Sequence, residues 1–291
     1  MASISKIQSR DNPRVRALTR LRRQRQRHRQ GRFVADGLRQ VERAIHSGLT
    51  LREGFFCADL LRGEDAARLD TLRSQTPEGH WFAVPKTLMH QVAYRAGEQA
   101  LLGVFDLPAW AIDDGAGDHA RRLAVPGAAL WLVAVGIEKP GNLGAMVRSA
   151  DAAGACGIWI ADAVVDAFHP NAIEASTAAV FSMPVYRGTS EQVLALMGQQ
   201  GVSVVAGAPS AERIYTRADM SGPTAIVVGA EDHGLGPIWL DRPPGAKPAV
   251  QAVSIPMQGG VSDSLNAAAS AAVLLFEAVR QRTFGGATQE V

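Results

Sequence analysis

Apolar residues follow two different patterns along this chain. After Asn12-Pro13, a turn or helix-start signal, Val15, Leu18 and Leu21 recur at helical spacing with arginines between them. This predicts a helix with one thin apolar stripe and a cationic remainder. Phe33-Val34-Ala35 reads as a short strand. Leu38, Val41 and Ile45 form one face of an amphipathic helix ending near Ser47-Gly48. Further short strands are predicted at 54–58, 81–84 and 100–105, with helical stretches between them. Such alternation over about a hundred residues describes an α/β domain of its own. Residues 107–127 break the pattern with Leu107-Pro108, Asp113-Asp114-Gly115-Ala116-Gly117 and Pro126-Gly127, the composition of a linker. Beyond it the apolar runs lengthen, at 128–135, 157–160, 202–206, 224–228 and 252–255. Continuous apolar strands separated by helical stretches indicate a parallel sheet covered on both faces. A last long helix is predicted from near Ser264 to about Arg282. The expected organisation is a domain at 1–106, a linker at 107–127 and a second domain at 128–291.

Composition adds exclusions. The 291 residues are 47% hydrophobic and 20% charged, the balance of a soluble globular protein with a sizeable core. No apolar run reaches the roughly 18 residues of a bilayer span, and the basic N-terminus lacks the apolar stretch of a secretory signal. Cys57 and Cys156 stand far apart, with neither metal-ligand spacing nor a disulfide framework. The expectation is a cytoplasmic protein without membrane or metal partners.

Charge is the exception to this ordinary composition. Residues 1–32 hold eleven lysines and arginines against one acid, Asp11, so this stretch carries +10 within a chain of net +2. An arginine-rich arm on a mildly acidic body points to a polyanion, because the guanidinium fork pairs with phosphate and stacks on bases. Arg10, Arg14, Arg20, Arg22, Arg23 and Arg25 are the candidate contacts to such a polyanion, a nucleic acid in the first place.

Ligands of open parallel sheets bind beyond the carboxyl ends of the strands, and three loops there carry candidate chemistry. The first, 136–148, holds Asn142, placed to cap the following helix, and Arg148 about one and a half turns later. The second, 227–235, sets Glu231 between Gly229 and Gly234, where a glycine would let a flat adenosine lie against backbone. The third, 255–266, is glycine-rich, with Ser264 as the expected cap of the last helix. Dinucleotide-binding, phosphate-loop and nucleophile-elbow motifs are absent.

In this order, the three loops resemble the signature motifs of the SpoU (TrmH-like) branch of the SPOUT RNA methyltransferases over residues 128–282. Residues 5–105, through Ser9-x-x-Asn12-Pro13 and Phe33-Val34-Ala35-Asp36-Gly37, resemble that family's ribosomal-protein-like substrate-binding domain. The resemblance implies a trefoil-knotted C-terminal domain, bound S-adenosylmethionine, a homodimer whose pocket draws on both subunits, and methylation of an RNA ribose 2′-hydroxyl. Ribosomal RNA is favoured; transfer RNA and a non-catalytic knotted RNA-binding protein are the alternatives. Carried over by position, Asn142, Arg148, Glu231, Ser264 and Asn266 are the catalytic residues. Gly207, Gly229, Ile255 and Leu265 hold the cofactor. Arg148 orients the ribose and stabilises developing alkoxide charge, or abstracts the proton itself. The chain departs from the pattern at Lys139, where an acid is common, at Glu174 and Ala178, where arginine and glycine are common, and in a third loop one residue longer.

Overall fold

The N-terminal arginine helix predicted from the sequence is two helices, and both are built into a sheet-centred unit. In this computed structural model residues 4–94, 98–112, 129–243, 245–259 and 261–284 are described. They form two compact units: Met1–Ile112 with Phe168–Ser182, and Asp113–Ala167 with Met183–Val291. Most of the expected linker lies outside the described residues.

In the first unit the elements are β1 (Ser5–Lys6), α1 (Pro13–Arg20), α2 (Gln24–Gln30), β2 (Arg32–Asp36), α3 (Leu38–His46), β3 (Leu51–Phe56), α4 (Asp65–Gln75), β4 (His80–Ala83), α5 (Lys86–Val92), β5 (Leu101–Asp106) and α6 (Ala109–Ile112). The five strands lie in the order β1-β4-β3-β5-β2. Strands β1 and β3 run parallel to β4, whereas β5 is antiparallel to β3 and β2. Asn12 caps α1 by accepting from the Arg14 N–H at 2.9 Å, with Pro13 opening the helix. The apolar stripe Val15, Leu18 and Leu21 is buried in one core with Phe55, Phe82 and Leu102. α2 has no such stripe. It is held instead by Arg27, 1% exposed, whose Nη1 donates to the carbonyls of Leu21 and Arg22 at 2.8 and 2.9 Å. One side of the arm is therefore built into the domain's core, while most of its arginines stay exposed.

The second unit carries β6 (Leu130–Val135), α7 (Pro140–Ala152), β7 (Gly157–Ala161), β8 (Val185–Gly188), α9 (Ser190–Gln199), β9 (Ser203–Gly207), β10 (Thr224–Gly229), α10 (Pro237–Leu240), β11 (Val250–Val253) and α11 (Ala267–Phe284). The intervening α8 (Pro170–Ala175) belongs to the first unit. The six strands are all parallel, in the order β11-β9-β10-β6-β7-β8. Central strands β6, β7 and β10 are buried at every position, as continuous apolar runs require. The sequence pattern missed β8, an edge strand of only four residues, Val-Tyr-Arg-Gly. It also placed β11 two residues late: Ser254 already leaves the ladder, its N–H donating to the Arg213 carbonyl at 2.8 Å.

Segment 168–182 covers one side of the first sheet. Phe33 of β2 is fully buried, with ring centroids 5.6 Å from Phe105, 4.7 Å from Phe168 and 5.5 Å from Phe181. Thr177 and Ala178 turn the chain with φ of 49° and 72°. Such left-handed values are unusual for residues with side chains; at 178 the resemblance expects glycine. Arg43 of α3 donates to the Thr177 carbonyl at this bend.

Charge-assisted hydrogen bonds are worth about 1.5–3 kcal/mol each, and losing them strands two carbonyls. Arg27→Ala is thus expected to lower stability by about 2–4 kcal/mol, read as a fall in the urea midpoint.

Candidate active site

Loops at the carboxyl ends of β6 and β10 meet the loop before α11 at one side chain. Glu231, just after β10, retains 23% of its side-chain exposure. Its Oε1 accepts from Asn142 Nδ2 at 3.0 Å and also from Asn266 Nδ2. Its Oε2 accepts from Lys139 Nζ, and the Ala267 backbone helps to favour the charged form of the same carboxylate. Asn266 Nδ2 also lies 3.2 Å from Asn142 Oδ1. Lys139 and Asn142 come from the start of α7, and Asn266 and Ala267 from the start of α11. The lysine hydrogen bond, with the amide and backbone donors behind it, holds the Glu231 carboxyl below the usual carboxylate range. In turn the carboxylate raises the Lys139 ammonium, whose side chain is 66% exposed.

Two expectations about capping are corrected. Asn142 does not cap α7: it lies inside the first turn and spends its amide on Glu231. Nor does the last helix begin near Ser264. It starts at Ala267, and the cap is Asn266, whose Oδ1 accepts from the Ala268 N–H at 2.9 Å. Asn266 therefore serves twice, as helix cap through its oxygen and as donor to Glu231 through its nitrogen.

Beside this hub lies a cleft lined by Gly207, Gly229, Glu231, Ile255, Ser264 and Leu265, with Val228, Val253 and Met257 among its apolar walls. All four residues assigned to the cofactor line it. Their glycines matter for a reason the sequence reading did not give. A Cβ on Gly229 would stand 2.2 Å from the Gly234 carbonyl oxygen, because the loop folds back on the strand. The Gly234 N–H donates to Ala230 O at 2.9 Å, and Gly234 takes a φ of 61°. The glycine pair thus makes the tight turn that aims Glu231. A Cβ on Gly207 would meet Leu274 Cδ1 of α11 at 3.1 Å. On the other side of Glu231 a shallow depression is lined by Ile137, Lys139, Asn142 and Asp232. Glu231 borders both hollows.

Arg148 is not drawn into this cluster. It is exposed on α7 and, among the described residues, makes no hydrogen bond or ion pair. Six residues past Asn142, it lies about 9 Å further along the helix and roughly 120° around it. Lys139, absent from the sequence-derived set, is the partner that reasoning missed; its only signal was the departure from an acid. Among the described residues no group of three or more His, Cys, Asp or Glu is gathered to hold a metal ion, and no helix is long and apolar enough to cross a membrane.

The candidate RNA contacts divide in the same way. Arg14 pairs with Glu53, its guanidinium 4.9 Å from the centre of the Phe82 ring. Arg22 Nη2 donates to the carbonyls of Val92 and Ala93 at 3.2 and 2.9 Å. Arg10, Arg20 and Arg23, with Arg16, line an open groove along α1. Arg25 is exposed on α2.

Comparison with known proteins adds the following. The profile of the SpoU rRNA Methylase family matches residues 129–276, and that of the MRM3-like substrate binding domain matches residues 12–103. A 23S rRNA (uridine(2479)-2′-O)-methyltransferase of Streptomyces viridochromogenes is 30% identical, over 89% of this chain and 86% of its own. A crystal structure of an RNA 2′-O ribose methyltransferase is 36% identical with a TM-score of 0.79, covering 96% of this chain and 99% of that one. An AdoMet-bound rRNA methyltransferase from Sinorhizobium meliloti is 26% identical with a TM-score of 0.81, covering 96% and 98%.

Two outcomes follow from this geometry. Gly229→Ala forces backbone apart where nothing flexible can yield, so denaturant unfolding should show a loss of about 2–4 kcal/mol. The Glu231 pKa is depressed on folding, so its stabilising contribution is present above the unfolded value, about 4.3, and disappears as pH falls through the lower folded value. Unfolding measured against pH should show this acid-side component in the parent protein and lack it in Glu231→Gln.

Proposed function

The chain belongs to the SpoU rRNA Methylase family, and from that membership we infer that it methylates a ribose 2′-hydroxyl of ribosomal RNA with S-adenosylmethionine. The observation that carries the reading is the Asn142–Glu231–Asn266 hub beside a glycine-backed cleft.

The cleft suits the donor by its chemistry. Backbone at Gly207 and Gly229 closes against it without intervening side chains, and Ile255 and Leu265 offer apolar cover for a flat base. S-adenosylmethionine, when bound, supplies an activated methyl group, so what remains for the protein is alignment and charge. Alignment of reacting groups can be worth up to roughly 7–11 kcal/mol. Glu231, fully engaged by its donors, fixes Asn142 and Asn266 at the boundary between cleft and depression, where their amides orient the ribose. Ser264 borders the same cleft and helps position the sugar. Arg148 stays a cation under ordinary conditions, which favours its orienting the ribose and stabilising the developing alkoxide over abstracting the proton.

The reading includes a trefoil-threaded catalytic domain, a homodimer and a cytoplasmic place of action. Support for the dimer comes from α11, which leaves Phe276 and Phe284 at 48% and 61% exposure while packing along α7, the helix that displays Arg148. A second copy covering that apolar surface would bring its own Arg148 to the hub. Arg10, Arg16, Arg20, Arg23 and Arg25 supply phosphate contacts; Arg14 and Arg22 act chiefly within the fold.

Mass mapping of ribosomal RNA incubated with the protein and labelled S-adenosylmethionine tests the reading. A ribose methyl at a defined nucleotide is the expected product. Labelling of transfer RNA alone would move the substrate, and donor binding without transfer would leave a binding protein. Arg148→Ala should lower kcat on the order of a hundredfold or more while calorimetry finds unchanged donor affinity. Replacing Arg10, Arg16, Arg20 and Arg23 with alanine should flatten the plot of log Kd against log salt by about 3.

A further inference from the structure

A second hollow of the first unit opens beside the arginine groove, lined by Leu18, Leu21, Phe168 and Pro170, with Arg22 and Tyr94 also on its wall. Tyr94 is the aromatic residue here that packing leaves in water, at 38% exposure. Its position is fixed from two sides. The Tyr94 N–H donates to Asp36 Oδ2 at 2.8 Å, and the phenol ring meets the His169 imidazole edge-on, at 5.8 Å and 87°.

Arg22 lies over one face of the ring, its guanidinium 6.0 Å from the ring centre, so a stacking base would take the opposite face. One nitrogen, Nη2, reaches three successive carbonyls, those of Gln91, Val92 and Ala93, at 3.4, 3.2 and 2.9 Å. A guanidinium so engaged is a poor fork for phosphate, but it keeps a planar face beside the aromatic ring. Arg22 also lines the groove formed by Arg10, Arg16, Arg20 and Arg23. Groove and ring are therefore contiguous: a track of cations leads to an ordered, half-exposed aromatic face. Unpaired bases of RNA are held on such faces, with their phosphates on neighbouring cations, whereas paired bases have no face to offer.

We propose that Tyr94, braced by Arg22 and His169, is a stacking platform for one unpaired base of the RNA whose flanking phosphates follow the arginine groove. The inference rests on the reading of RNA as substrate and adds that the first unit selects single-stranded over paired RNA.

The test uses the full-length protein, with a short oligoadenylate strand as probe and the same strand paired to oligouridylate as control. The parent protein should bind the single strand more tightly than the duplex. Tyr94→Ala should raise Kd for the strand about tenfold, or about 1.4 kcal/mol, and leave the duplex value unchanged. Tyr94→Phe, which keeps the ring, should bind as the parent does. Tyr94→Trp should show emission, above the background of the native tryptophans, that the strand quenches and the duplex does not. Equal strand binding by Tyr94→Ala and parent, a preference for duplex, or unquenched Tyr94→Trp emission at saturation would each overturn the platform. If Tyr94→Ala does not fold, the tryptophan quench decides alone. Methylation of ribosomal RNA by the parent protein separates the two readings: activity without the stacking signals removes only the platform, while inactivity on any RNA removes the function itself.

Discussion

An ionised carboxylate only accepts hydrogen bonds, and Glu231 accepts from three side chains: Lys139, Asn142 and Asn266. The loops after β6 and β10 and the start of α11 in the second unit are arranged around that carboxylate. Donors come from the first turns of two helices, α7 and α11, whose positive dipole ends favour a negative charge at this spot. The acceptor comes from a loop that could not point it there without Gly229 lying against Gly234. Three stretches separated by many residues are thus fixed to one point by a single charge, so the amides of Asn142 and Asn266 are held in place by the fold itself. Preorganisation of this kind spares the reaction the work of assembling its own surroundings.

The arginines of the first thirty-two residues show how one residue type is divided among different physical tasks. Arg27 is a structural donor, buried and spent on main-chain carbonyls. Arg14 closes a pair with Glu53 and lies over an aromatic ring. Others face water along α1 and α2. A charge count sees all of these alike. The field that steers a polyanion comes from their sum, but only those without internal duties can exchange water for phosphate.

This division also marks what was legible in the sequence. The long buried strands β6, β7 and β10 were readable because a parallel sheet covered on both faces demands unbroken apolar runs. The three loops were readable because glycine, asparagine and acid at strand ends have few other uses. Strand β8 was not, since four edge residues carry too little pattern. Nor was the role of Asn142 or Asn266: a capping residue and a hub residue look the same until the partner's position is known. Lys139 was hidden for the opposite reason, since exposed lysine is the commonest of surface residues and only Glu231 across the loop gives it meaning. The conformational reason for Gly229 was missed because its neighbour is the chain's own carbonyl, a contact no local pattern encodes.

The rings of Phe168 and Phe181 close over Phe33 in the first unit although they are encoded far downstream of it. During synthesis, then, the amino-terminal sheet emerges from the ribosome with one flank bare and waits for more than sixty further residues before its cover exists. A gene fragment stopped at the end of β5 would encode every strand of that sheet yet expose a greasy flank, prone to association and to chaperone capture. Swapping this recognition module between relatives would accordingly call for two cuts and two transplants, with the downstream patch travelling alongside the strands it shelters.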